Sequence, residues 1–152
     1  MNIANDKEFK AALAALGGVD RRLAAAYLVR QVFELSGDPR VKGALDLAAR
    51  TDVSEAELSV AAAGVNTARV ESFTQCGRDA DWKAQASHFV ARAAQECIKS
   101  DVDLASAWEA AMQARMARIC EALAAGEGTG NREAEAQFEA LAAFLKAKGS
   151  GS

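Results

Sequence analysis

Proline, histidine and cysteine are all scarce in this chain of 152 residues, and each scarcity removes a class of explanation. The one proline, Pro39, breaks the chain at a single place. The one histidine, His88, rules out His–His metal sites and an H-E-x-x-H pair. Three cysteines, Cys76, Cys97 and Cys120, stand at wide, unpatterned spacing. They fit buried thiols in a reducing compartment better than a disulfide frame. No run of about 18 apolar residues occurs, so no membrane contact is expected. MNIANDKEFK carries acids where a secretory leader would be basic and then apolar, so the expected location is cytoplasmic. A net charge of −3 and a pI near 5.3 argue against a nucleic-acid partner, which needs a basic face.

Apolar residues at 51% and charged residues at 26% are globular proportions. A chain of this length buries roughly 70% of its unfolded surface without staples. Residues 1–148 therefore read as a single domain. Gly149-Ser150-Gly151-Ser152 reads as a flexible tail or cloning remnant.

No segment alternates apolar and β-branched residues with polar ones, so no strand is predicted. The pattern is helical throughout. Asn5 and Glu8 form a capping box before Phe9, Leu13 and Leu16, and Gly17-Gly18 stops that helix in a left-handed turn. Asp20 caps a second helix, Arg21 to Leu35, apolar over much of its circumference. Asp38 and Pro39 suit the N-cap and first position of a short helix that faces Val41, Ala44, Leu45 and Ala48 inward. Ser54 and Glu57 open a long helix that ends at Gly77, with Leu58, Val65, Ala68 and Ser72 on its inner face. Its Gly64 and Ala68 are small enough for a neighbour to approach closely.

From Asp81 to Lys99, Trp82, Ala86, Phe89, Val90, Ala93 and Cys97 fall within an arc of roughly 100°. Leu104, Trp108, Met112, Met116, Ile119 and Leu123 make a second stripe. After Gly126–Gly130, Asn131 caps a last helix lined by Phe138, Leu141 and Leu145. Short connections favour antiparallel neighbours. The expected fold is an all-α, compact single-domain bundle of about seven helices, its core built on the Tyr27, Trp82, Phe89 and Trp108 helices.

Candidate chemistry is thin. His88 lies on the order of 150° from the centre of its helix's apolar stripe, which makes it a surface residue or one at a second interface. Cys97 points to the opposite side, so a zinc site using both is excluded. Cys76, beside Gly77 and Arg78, is the best-placed thiol, but a helix C-terminus raises a thiol pKa. Cys97 and Cys120 read as small hydrophobes. The glycine loop follows a helix instead of a strand and lacks the lysine of a phosphate cradle, so it is a linker. Glu133, Glu135 and Glu139 decorate a solvent face, and Glu71 and Glu96 pair with arginines. Arg115, at the edge of its stripe, covers the core with its stem and pairs with an acid. No cofactor, metal or catalytic residue is expected.

The segments Asp20-Arg21-Arg22-Leu23 through Val32-Phe33-Glu34-Leu35, Asp38-Pro39-Arg40-Val41-Lys42 and Ala44–Arg50 together resemble the opening of small helical bacterial immunity proteins of the Imm-5-like kind. The Val53-Ser54-Glu55-Ala56-Glu57 restart and the His88 helix are similar in layout. The resemblance covers roughly the first two thirds and departs at Thr74–Gly77 and Trp82. It implies a cytoplasmic protein that binds and blocks a cognate toxin, and carries over no catalytic residue. The leading expectation is therefore a non-catalytic protein binder using an exposed helix face. Two alternatives stand beside it: a self-assembling homo-oligomer mating through small-residue faces such as Ala84/Ala91, and a small-ligand or redox role through Cys76 or His88.

Overall fold

The computed structural model describes residues 2–79, 81–127 and 132–150, with the side chains of all of these except 75–79 and 150. Seven α-helices and one 3-10 turn make up the described residues, with no strand among them. They are α1 (Asp6–Ala14), α2 (Gly18–Arg30), the 3-10 turn Phe33–Leu35, α3 (Pro39–Ala48), α4 (Glu55–Asp79), α5 (Trp82–Cys97), α6 (Leu104–Ala124) and α7 (Glu133–Ser150). The expected all-α bundle is the fold.

Helix starts follow local chemistry. Asn5 Oδ1 accepts from Glu8 N, while Glu8 Oε1 reaches back to the amide of Ala4. Asp38 caps Arg40 N with Pro39 in the first turn, and the Ser54–Glu57 box closes in both directions. Asp81 and Asp103 cap α5 and α6. Each satisfies amides that a helix N-terminus leaves unpaired. The proposed Asn131 cap and Gly128–Gly130 lie outside the described residues.

Helix ends depart from expectation. Gly17 has φ −72° and serves as the N-cap of α2 instead of a left-handed stop for α1. The ends of α1 and α3 are held by side chains instead. Arg21, in the first turn of α2, donates to the carbonyls of Leu13 (2.9 Å), Ala14 (3.1 Å), Leu16 and Val102. Arg22 donates to Ala48 O (3.1 Å) and Arg50 O at the end of α3. A guanidinium fork suits this task, because unpaired carbonyls carry the negative end of the helix dipole. Asp20 does not cap; it pairs with Lys148 at 2.9 Å. The second helix stops at Arg30, with Phe33–Leu35 in a separate 3-10 turn that Gly37 leaves at φ +68°. Gly77 does not end α4, which runs on to Asp79. An interior glycine costs only about 1 kcal/mol, little against the packing of so long a helix. Likewise α7 continues through Gly149 and Ser150, into the segment expected to be a loose tail.

The core sits between α5 and α6, whose pairing is the most extensive in the molecule, with α4 on the other side of α5. Small residues dominate the buried surfaces of these two helices. Ala84, Ala86, Ala91, Ala93 and Ala94 of α5 are buried, as are Ala107, Ala110, Ala111, Ala114 and Ala117 of α6. Without long side chains between them, backbones approach closely and gain many dispersion contacts. The large stripe on α6 is only half-buried, with Met116 exposed. Trp82 is 39% exposed and Tyr27 is also at the surface, so neither anchors the core. The fully buried large residues are instead Phe9, Leu13, Leu28, Leu45 and Leu141. Burial of Ala84 and Ala91 inside the chain also removes them as a face for mating between copies.

Candidate functional site

Two features stand out on the α4 side of the bundle. The first is the outward face of α4. Its buried side, Leu58, Val65, Ala68 and Ser72, lies against the core as its spacing predicts. On the opposite side, Ala56, Val60, Ala63, Thr67, Val70 and Thr74 share an arc of roughly 80°, all of them exposed. Val60 is 75% exposed, and Phe73 at the flank 61%. The hydroxyls of Thr67 and Thr74 turn back onto the carbonyls of Ala63 (3.1 Å) and Val70 (3.0 Å). That internal bonding leaves the stripe without charge and poor in free polar groups. Two acids of α4 are held by arginines: Glu57 pairs with Arg50 at 3.1 Å and Glu71 with Arg40 at 2.7 Å. Arg40 also packs its stem 3.8 Å from where a side chain on Gly64 would begin, the close approach that position was expected to allow.

The second feature is a polar cleft of about 340 Å³ beside Phe73, where α4, α5 and α6 meet. Arg69 and Phe73 come from α4, and His88, Arg92, Gln95 and Glu96 from α5. Glu109 and Gln113 of α6 close it. His88 is 7% exposed, so of its two expected positions, the surface and a second interface, it takes the second. The physical reason is that α5 lies between α4 and α6, so the side of the helix away from its apolar stripe is covered as well. His88 Nδ1 donates to Arg69 O at 3.1 Å; a carbonyl can only accept, so the neutral ring carries its proton there and its lone pair on Nε2. Phe73 and Phe89 pack on the ring, with centroids 5.5 and 5.7 Å away. Burial lowers the His88 pKa from its ordinary value; the bond to Arg69 O opposes this, and the charges of Arg92 and Arg69 add to the lowering.

Polar groups in this cleft are left without partners. Gln113 is 8% exposed; its Nε2 donates to Glu109 Oε1 at 2.6 Å, but its buried Oε1 has no hydrogen-bond partner. Arg69 donates from its terminal nitrogen to Asn66 Oδ1 at 2.9 Å, yet its buried Nε is unpartnered too. Buried groups left this way cost about 1–3 kcal/mol each, so two in one small cleft favour a polar guest, water or ligand, that pairs with them. Only His88 of this set stood out in the sequence. The available signal for Gln113 was a polar residue within the alanine run of α6.

The other candidates separate cleanly. Arg115 does as expected: Nε donates to the buried Gln137 at 2.8 Å, a terminal nitrogen pairs with Asp6 at 2.8 Å, and the guanidinium lies within 6 Å of the rings of Phe9, Trp108 and Phe138. It ties α1, α6 and α7 together. Cys76 falls within α4 by its backbone, but its side chain lies outside the described residues. Cys97 and Cys120 are buried, and burial first, then the Glu96 charge, pushes the Cys97 pKa far up. Glu96 pairs with Lys99, not with an arginine. Glu133 is not a surface decoration: it is buried beside Arg118 of α6, whose Nε lies 3.6 Å away, and burial raises its pKa. A wider opening of about 710 Å³ lies between the 3-10 turn and the facing ends of α5 and α6. Its Asp81, Glu34, Ser36 and Ser87 are committed to a cap, an ion pair and each other. Among the described residues, no group of three His, Cys, Asp or Glu could hold a metal ion, and no helix is long and apolar enough to cross a membrane.

Compared with protein-family models, with curated proteins and with solved structures, the chain matches none.

Proposed function

We propose that this protein acts by binding another protein, without catalysis, through the outer face of α4. The observation that carries the reading is the uncharged stripe from Ala56 to Thr74, with Val60, Val70 and Phe73 exposed and Glu57 and Glu71 paired with arginines at one edge. An apolar centre with a charged rim is the anatomy of a protein contact, and it loses free energy by staying wet. The cleft beside it offers no serine, threonine or cysteine next to His88 among its lining residues, which favours recognition over covalent catalysis. Neutralising a toxin is the specific form of this reading that the immunity-protein resemblance suggests. Self-association is the second reading, and the same stripe supports it, because an uncharged face meets its own copy without like-charge repulsion.

The test is affinity capture from a lysate of the native host with the wild type and with the pair Val60→Glu and Val70→Glu, each eluate also weighed by light scattering. A stoichiometric enzyme captured by the wild type and lost in the variant supports toxin binding. A wild-type dimer that becomes monomeric in the variant moves the reading to self-association. Identical behaviour of the two proteins refutes a role for this face.

A further inference from the structure

We infer that the cleft between α4, α5 and α6 is a binding site for a small free zwitterion of the α-amino-acid class. Its lining offers both signs of charge and leaves both under-used. On the donor side, Arg69 Nε is buried without a partner, and Arg92 makes no hydrogen bond or ion pair with any described residue. On the acceptor side stand the unpartnered Oε1 of Gln113, the lone pair of His88 Nε2 and the Glu109 carboxylate, whose one described bond is from Gln113.

Charge balance narrows the ligand. Arg69 and Arg92 are offset by Glu96 and Glu109, and His88 is neutral, so the lining as a whole favours neither anion nor cation. A ligand with separated charges satisfies it: a carboxylate toward the guanidinium groups of Arg69 and Arg92, and an ammonium toward Glu109 and Gln113 Oε1. The Phe73 ring at the rim adds an aromatic face for the ligand's side chain or cation. The volume, about 340 Å³, fits a single amino acid and not a folded partner's loop. The site shares only Phe73 with the docking face, so either can fail without the other.

The test is a titration of the whole protein, labelled with 15N, with each of the twenty free amino acids, following the His88 ring and the Arg69 and Arg92 Nε resonances. At least one amino acid is expected to give saturable shifts at these groups. Acetate and methylammonium, each carrying half of the ligand's charge, are expected to bind at least about tenfold more weakly. Arg92→Ala, which removes an exposed side chain and spares the fold, is expected to weaken binding about tenfold, the loss of one charge-assisted bond. No saturable shift up to about 10 mM of any amino acid overturns the inference. So does equal binding of acetate alone, or unchanged affinity in Arg92→Ala.

Discussion

Placing a leucine at Ala114 is the sharpest test of how this bundle is packed. Periodicity puts the inner face of α6 on Leu104, Trp108, Met112, Met116, Ile119 and Leu123, and Ala114 lies on the order of 145° from the centre of that stripe. On that view an added apolar side chain sits in solvent and changes stability by no more than about 0.5 kcal/mol. In the structure, Ala107, Ala110, Ala114 and Ala117 are fully buried in the close seam around which α5 and α6 pair. Three extra carbons there must push the backbones apart or leave their rotamers, a cost of about 1–3 kcal/mol. Since 1 kcal/mol shifts the melting point of a domain this size by about 2–4 °C, Ala114→Leu should melt roughly 2–12 °C lower. Urea unfolding followed by far-ultraviolet circular dichroism gives the free energy, and an unchanged m-value would locate the effect in the folded state. A variant as stable as the wild type, or more so, would refute the alanine seam.

Three further perturbations probe charge and helix ends. The His88 pKa is lower folded than unfolded, so between the two values the unfolded chain binds more protons; stability is full above the ordinary histidine value of about 6.5 and falls as pH drops below it. His88→Gln should flatten that part of a pH–stability curve, and an unaltered slope would mean the ring is not buried. Glu133 shifts the other way: its folded pKa is raised, so its contribution is complete below about 4.5 and is lost as pH rises through the folded value. Glu133→Gln should remove this opposing slope, measurable by thermal melts across the same buffers. Arg21→Lys keeps the charge but not the fork that reaches the carbonyls of Leu13, Ala14, Leu16 and Val102, and should cost about 1.5–3 kcal/mol in urea. Equal midpoints for the lysine variant and the wild type would show that charge alone suffices.

What could be read in the sequence was what is local. Asn5, Asp38 and Ser54 cap amides two or three residues away, and their helices start where those residues stand. The inner faces of α3 and α4 were legible because each helix is covered on one side. That logic failed for α5 and α6, which are buried on more than one side, so size and hydrophobicity no longer marked the interface. His88 read as a residue of the surface or of a second interface and is in the cleft; Trp82 looked like a core residue and is exposed. Glu133 stood among surface acids because nothing in α7 announces that Arg118, from α6, stands beside it. Of the cleft, only His88 stood out as a candidate site residue, since Arg69, Arg92, Glu109 and Gln113 acquire meaning only when three helices bring them together.

The adjacent arginines at the start of α2 carry a consequence for how this chain is assembled. Commonly a glycine or proline writes the end of a helix into the local sequence. Here α1 and α3 are terminated by Arg21 and Arg22, residues of a third helix, with Val102 O drawn to the same guanidinium. A peptide cut out as α1 or α3 alone would have no such boundary, and its last turn would fray. The lengths of these two helices are thus fixed by a neighbour after docking, and belong to the assembled bundle instead of to either segment.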